Sequence, residues 1–584
     1  MQRTFFNLTA LFLSVLLLSS ASAQSLADLL PAETFLAFGT RDLAQHEAKL
    51  EPFIAEFERL ELGAALAKLV PSEAVEGELE QDDAVGDVMT QFEGLEVLDF
   101  LGQEAWLALS ASSFNPLPAL TLLTELSPEA AQQISSTLSE ATAKDSVETL
   151  TEGNYTFYQE ALEDADEFIQ VLAYAQVDNT LMLSTNPNTL RAALRQLGGS
   201  SDPSFANSVG YANTLGQVGE GNFYGYLDFA QVASVIAPFA QGFGFDQLVE
   251  RLIDAFATAG VSAGTLRVTE DGFEREGLQA ANADGGDASL YALLTSPAQA
   301  NASTITLAPE SALSWSSSVT DLTGWWDYLN EIMESSPELG GNLDFLLASF
   351  LGVDLRETFF NWVGNELTTV TTGVGEIVEP GMPSSNLLGD SVYILEASDE
   401  AAAQAGLSNL LQTVSTLVAS FADPSGGAGS ASSETLDIAG VEATTFTITE
   451  GISLSYAVAD GHAFIGTSSD ALTAVLEARG GDSSLRNAAV FGSLQTTAPD
   501  TASSLSLSNN QATLANTAQQ ITSQLQLTAG LGGAANLDFD AVEEASEKLE
   551  QFLAFVAERL GFSTSYSERR GDGVYTFGQS DVSW

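Results

Sequence analysis

Residues 170–201 read QVLAYAQVDNTLMLSTNPNTLRAALRQLGGSS, and residues 452–483 read ISLSYAVADGHAFIGTSSDALTAVLEARGGDS. Set side by side without gaps, they share eleven identities over 32 positions, among them Leu172/Leu454, Tyr174/Tyr456, Asp178/Asp460, Leu190/Leu472 and Gly198/Gly480. Average residue usage would give roughly two. Both stretches have the same local grammar: an apolar strand, an Asp-Asn or Asp-Gly turn, a second strand, and a short amphipathic helix ending at paired glycines. Asn and Gly tolerate the positive φ of a tight hairpin turn, so the two turns are expected to be equivalent. Self-similarity at this distance predicts a duplicated unit.

Working outward, further landmarks recur in one order. LLPAE at 29–33 matches LAPE at 307–310, and each leads into a strand and then Asp-Leu at Asp42 or Asp321. Gly102-Gln103-Glu104 matches Gly364-Asn365-Glu366. Phe245-Asp246 and Phe539-Asp540 each open a long helix, and hairpins at Asp271-Gly272 and Asp572-Gly573 close each unit. The expected organisation is a signal peptide at 1–23, one α+β unit at 24–300 and a second at 301–584. Tight turns between neighbouring strands imply an antiparallel or mixed sheet, with helices packed on one face of it. The acidic stretch 72–87 and the Gly/Ser-rich stretch 424–433 occur in one unit only and read as solvated insertions.

The first residues carry a single charge, Arg3, then an apolar run over 8–18 and Ala21-Ser22-Ala23, an A-x-A exit. That pattern predicts export by cleavage after Ala23. No later stretch reads as a transmembrane helix; the apolar run 223–245 is interrupted by Asp228, Gln231, Pro238 and Gln241. The chain has no cysteine, so its stability outside the cell has to come from packing alone. The expected location is the periplasm, the cell surface or the exterior.

The net charge is −61, from 79 acidic and 18 basic residues, of which only Lys49, Lys68, Lys144 and Lys548 are lysines. A surface so poor in bases repels nucleic acid and anionic headgroups. Salt adaptation is the plainer account of it, since screening relieves the self-repulsion. Weak divalent-cation binding, such as calcium-dependent association with a surface layer, is kept open beside it.

Few chemistries survive. The two histidines, His46 and His462, fall at non-matching places; a His/Cys zinc set lacks ligands, a Ser-His-Asp set would have to use one of them without a G-x-S-x-G elbow, and each reads as a solvated or packed histidine. No Ser precedes a lysine by three, no phosphate loop is present, and Gly219-Glu220-Gly221 and Gly242-Phe243-Gly244 read as turns. Carboxylates are the one reactive group in surplus. Glu104 and Glu366 are the best placed because they recur beside a glycine; a strand terminus capped by glutamate is the framework reading of the same residues. Acidic runs at 163–167 and 538–540 read as solvated, with weak cation binding as the alternative. Trp325, Trp326 and Tyr328 offer rings that could stack on sugars, or start a buried amphipathic helix. Trp584 matches the aromatic last residue of outer-membrane barrels, which the many helical segments argue against.

The LPAET-like opening, the Gly-x-Glu landmark and the hairpin-plus-helix unit together resemble a family of exported bacterial proteins, the domain of unknown function 3352. The resemblance covers most of the chain in two copies and implies no activity. Residues and resemblance together point to a non-catalytic binding or structural module of the envelope, with no catalytic residue, cofactor or metal assigned. The alternative is a carboxylate hydrolase acting on an envelope polysaccharide through Glu104 or Glu366.

Overall fold

The computed structural model describes residues 25–62, 65, 103–111, 118–142, 146–161, 171–240, 246–296, 298–300, 302–334, 342–373, 390–422, 432–449, 452–479, 484–514 and 539–584. Alternating apolar positions form the quoted hairpins as anticipated. Strand β6 (Val171–Val177) turns into β7 (Thr180–Ser184), and β16 (Ile452–Ala459) into β17 (His462–Gly466). Tyr174 lies opposite Leu183, as Tyr456 lies opposite Ile465. Asp178 and Asp460 both hold φ 52°. The turns differ at the next residue, contrary to expectation: Gly461 is left-handed at 74°, whereas Asn179 is not among the positive-φ residues. Glycine has no Cβ to clash there, and asparagine does.

Among the described residues every strand pairing is antiparallel. The first ten strands are β1 (Thr34–Arg41), β2 (Glu104–Ser110), β3 (Ala119–Glu125), β4 (Val147–Glu152), β5 (Tyr155–Ala161), β6, β7, β8 (Phe223–Asp228), β9 (Val261–Val268) and β10 (Gly272–Ala280). They lie side by side as β4-β5-β6-β7-β3-β2-β1-β8-β9-β10. The next ten are β11 (Ser314–Val319), β12 (Val363–Gly373), β13 (Asp390–Ala397), β14 (Ser432–Ile438), β15 (Val441–Thr449), β16, β17, β18 (Ala502–Asn509), β19 (Leu560–Arg570) and β20 (Gly573–Val582). Their order is β14-β15-β16-β17-β13-β12-β11-β18-β19-β20. β10 then pairs with β20, from Gly272↔Asp581 through Glu276↔Phe577 to Ala280↔Gly573, and closes one 20-stranded open sheet.

Helices cover both faces of the sheet, not the single face expected. On one face, α3 (Pro187–Leu197) buries Leu190 and Leu194 against Met182 and Trp106. On the other, α2 (Pro128–Ala141) buries Ala130 and Ile134 against Leu181. The second set of strands repeats this: α11 (Ser469–Ala478) lays Leu472 and Val475 on Phe464, and α10 (Glu400–Ala422) lays Leu407 on Ala463. Neighbouring residues such as Leu181 and Met182 thus enter opposite cores, as a two-residue period demands. Each fully buried leucine contributes roughly 2–3 kcal/mol. The sequence sign of this arrangement was the unbroken apolar run in the central strands, which marks burial on both sides.

Two further helix pairs bridge the β10·β20 seam. α1 (Glu47–Arg59) meets α13 (Phe539–Ala557) through Phe53–Phe555 and Phe57–Phe552 edge contacts, with ring centroids 5.9 and 5.8 Å apart. α6 (Asp246–Ala259) meets α8 (Leu322–Glu334) through Arg251 and Glu331, 2.6 Å apart. Trp584 packs edge-on against Phe53 and Phe273. No described helix is long and apolar enough to cross a membrane.

Matching strand pairs differ in chemistry. Phe38 faces Leu107 and Leu36 faces Leu109 on β1·β2, all half-buried, whereas β11·β12 sets Ser316 opposite Thr369 and Ser314 opposite Thr371. Hydroxyl contacts continue on the neighbouring strands, with Ser506 and Ser565 Oγ atoms 2.7 Å apart.

Gly272 sits where the seam begins, at φ 153°, and a Cβ there would lie 1.9 Å from the Ser580 carbonyl oxygen. Gly571 is also left-handed, at φ 58°, but has open space around it. Gly571→Ala should cost about 1–2 kcal/mol from backbone strain alone. Gly272→Ala should cost more, because β20 has to move. A lower thermal midpoint for Gly272→Ala than for Gly571→Ala checks this; equal midpoints would contradict it.

Candidate functional site

The most constrained polar group is Glu104, the first residue of β2, whose side chain is fully buried. Four donors converge on it. Ser25 Oγ (2.7 Å), Arg41 Nη2 (2.8 Å) and Trp106 Nε1 (2.7 Å) all donate to Oε1, and the Leu26 amide (3.0 Å) donates to Oε2. Register explains the meeting: Arg41 ends β1 directly opposite Glu104, and Trp106 follows two residues later on the same face. The indole fills space over Gly39, where a Cβ would lie 2.6 Å from the ring. Burial opposes the charge on Arg41, but the carboxylate outweighs it and holds the guanidinium above its ordinary value. Burial and the Glu104 charge together push nearby Asp28 up.

Glu366 takes the corresponding place on β12 without that neighbourhood. Val319 stands opposite it where Arg41 stands opposite Glu104. Glu366 is half-buried and accepts from Ser317 Oγ at 3.1 Å. This half buries its indoles elsewhere: Trp315 on β11 is fully buried against Phe491, and among the described residues its N–H has no partner, while Trp362, just before β12, is fully buried and donates to the Thr358 carbonyl at 2.8 Å. The two glutamates therefore stand on different strand pairs and do not meet. Arg41 was missed from sequence; the available signal was a base closing the apolar strand TFLAFGTR in a chain with so few bases.

His46 lies at the start of α1, and burial and the Lys49 charge hold it below its ordinary value. His462 begins β17, with Nδ1 2.8 Å from the Asp460 carbonyl. They lie on different elements and share no site.

The aromatic cluster does begin a helix, α8. Tyr328 is buried and donates to Asp287 Oδ2 at 2.8 Å, while Trp326 donates to Asp344 Oδ1 at 2.7 Å. Asp287 is itself buried, caps α7 (Ala288–Thr295) through the Leu290 amide, and lies 3.5 Å from Arg251. Burial, then the Asp287 carboxylate, push the Tyr328 hydroxyl up. A cavity of about 340 Å3 opens between α7 and α8, with Asp321, Asp327 and Glu331 on its wall. Asp327 and Glu331 are paired with Arg356 and Arg251. Among the described residues no cluster of three His, Asp or Glu side chains is placed to hold a metal. The acidic run 163–167 and Asp538 lie outside the described residues, as do residues 72–87.

Two tests follow from these networks. Glu104→Ala leaves Arg41 and Trp106 without their acceptor and should cost about 3 kcal/mol, since breaking a buried pair strands the other charge. Glu366→Ala should cost under about 1 kcal/mol; similar losses in chemical denaturation would contradict the assignment. Asp344 is held below its ordinary 3.8, because hydrogen bonds from Arg356 and Trp326 overcome the opposing effect of burial. Its stabilisation is present above 3.8 and is lost as pH falls through the lower folded value. Asp344→Asn should accordingly flatten the acid limb of a stability-against-pH profile, and an unchanged limb would count against the pairing.

Comparison with known proteins adds a family and little else. No curated protein matches the chain. The solved structure of TP0453, in crystal form III, is similar at 10% identity over 47% of this chain and 87% of that chain, with a TM-score of 0.20. A family model matches residues 92–536, which is most of the sequence. The chain belongs to the family described as Protein of unknown function (DUF3352).

Proposed function

We propose that this chain is an exported, non-catalytic binding or structural module of the bacterial periplasm or cell surface, built from two tandem copies of one α+β unit at 24–300 and 301–584. The observation that carries the non-catalytic reading is the state of Glu104. The carboxylate best placed for chemistry is sealed from solvent and committed to four donors, so its work is to fasten the turn Leu26–Leu29 and Arg41 to β2. A general acid or nucleophile needs free access to a substrate atom.

The tandem reading is supported by the identical strand orders of β1–β10 and β11–β20 and by the shared φ of Asp178 and Asp460. Export is supported by the short turn Leu26–Leu29, which begins three residues beyond the A-x-A exit and packs Leu26, Ala27 and Leu29 into the core. Cleavage after Ala23 leaves that turn whole. The scarcity of bases suits a saline exterior and a partner that is neither nucleic acid nor an anionic surface.

Incubation of purified protein with a panel of cell-wall and storage glycans should release no product. Turnover that is lost in Glu366→Gln, a variant expected to stay folded, would replace this reading with a polysaccharide hydrolase. Thermal melts in the same panel should shift equally with calcium, magnesium and sodium at matched ionic strength. A larger calcium shift would assign the acidity to cation binding instead of salt adaptation.

A further inference from the structure

Among the described residues, every strand except β4 and β14 is paired on both sides, so these two are the open edges of the sheet. β14 reads SSETLDI and pairs only with β15; its first six residues are exposed, including Leu436 at 47%. A row of unpaired N–H and C=O groups is a template for another strand, and edges are usually blocked by proline, a bulge or charged side chains, lysine above all. Of these β14 has only charge. It carries no proline or lysine, and its register with β15 runs unbroken from Ser432↔Thr447 to Ile438↔Val441. What it does carry is two carboxylates, Glu434 and Asp437, on a chain of net charge −61.

The sequence of this edge is complementary to itself. In an antiparallel joint between two copies related by a two-fold axis normal to the sheet, one residue must face its own counterpart, because side chains alternate between faces. With Thr435 in that place, Glu434 faces Leu436, Ser433 faces Asp437 and Ser432 faces Ile438. All seven residues then pair, and no carboxylate faces another. The chain already contains an edge-to-edge antiparallel joint at β10·β20.

We propose that β14 is a self-association edge that takes β14 of a second copy of this chain, centred on Thr435, and that like charge sets its strength. Association is weak at low ionic strength and tightens as salt screens the carboxylates. This goes beyond the function proposed above and does not depend on it.

The absence of cysteine from the chain makes a direct test available. Sedimentation of the full chain should move from monomer toward dimer between about 0.02 M and about 1 M sodium chloride, a range over which the screening length falls severalfold. Under mild oxidation in high salt, Thr435→Cys should form a disulfide-linked dimer at least about tenfold faster than Ser433→Cys. The Ser433 counterparts would sit roughly 13 Å apart along the strand, beyond disulfide reach. Leu436→Glu, which keeps the hairpin but sets a carboxylate opposite Glu434 of the other copy, should shift the protein back toward monomer at a given salt concentration. A monomer at both salt concentrations, equal cross-linking of the two cysteine variants, or an association unchanged by Leu436→Glu would each overturn the proposal.

Discussion

Backbone amides and carbonyls at a sheet edge have to be paired, blocked or left to water, and this protein resolves two of its four possible edges by joining β10 to β20. The nine residue pairs from Gly272↔Asp581 to Ala280↔Gly573 turn two ten-stranded runs into one sheet. Much else follows from that joint. Gly272 has to be glycine because the Ser580 carbonyl crosses directly over it. Glu276, at the middle of the joint, accepts from Tyr575 Oη and from the Gly219 amide, so even its carboxylate is spent on the seam. Helices α1 and α13, and likewise α6 and α8, can meet only because the seam brings the start of one run beside the end of the other.

Local structure was legible in the sequence where local chemistry decides it. The hairpins β6–β7 and β16–β17, with helices α3 and α11 after them, follow from alternation, turn residues and helical spacing alone. The strand order was not legible, because nothing in a strand's own residues says which distant strand will lie beside it. The placement of helices on both faces departs from the single face expected; strands such as that holding VYIL at 392–395 carry the sign of it, since an unbroken apolar run means burial on two sides. Turn chemistry was legible at Asp178 and Asp460 and misjudged at Asn179, where asparagine and glycine are not interchangeable.

The candidate site was legible as a residue and not as a role. Glu104 stood out by its place beside a recurring glycine; Trp106 is its near neighbour, but Arg41, Leu26 and Ser25 lie 63, 78 and 79 residues away, and only the fold gathers them. The corresponding place in the second half has been rebuilt with different chemistry. Valine replaces the arginine opposite, buried indoles stand on β11 and just before β12 instead of on β2, and leucine and phenylalanine on the strand faces give way to serine and threonine. The two halves thus differ at this strand pair, while both keep apolar cores under their helices.

Hydrogen–deuterium exchange on the intact chain tests the central claim, that the molecule is one continuous sheet welded at β10·β20. Amides of 272–280 and 573–582 should exchange as slowly as those of the interior strands β1 and β11, and far more slowly than those of the open edge β14. Fast exchange along both β10 and β20, matching β14, would show two separate sheets with free edges and would contradict the account.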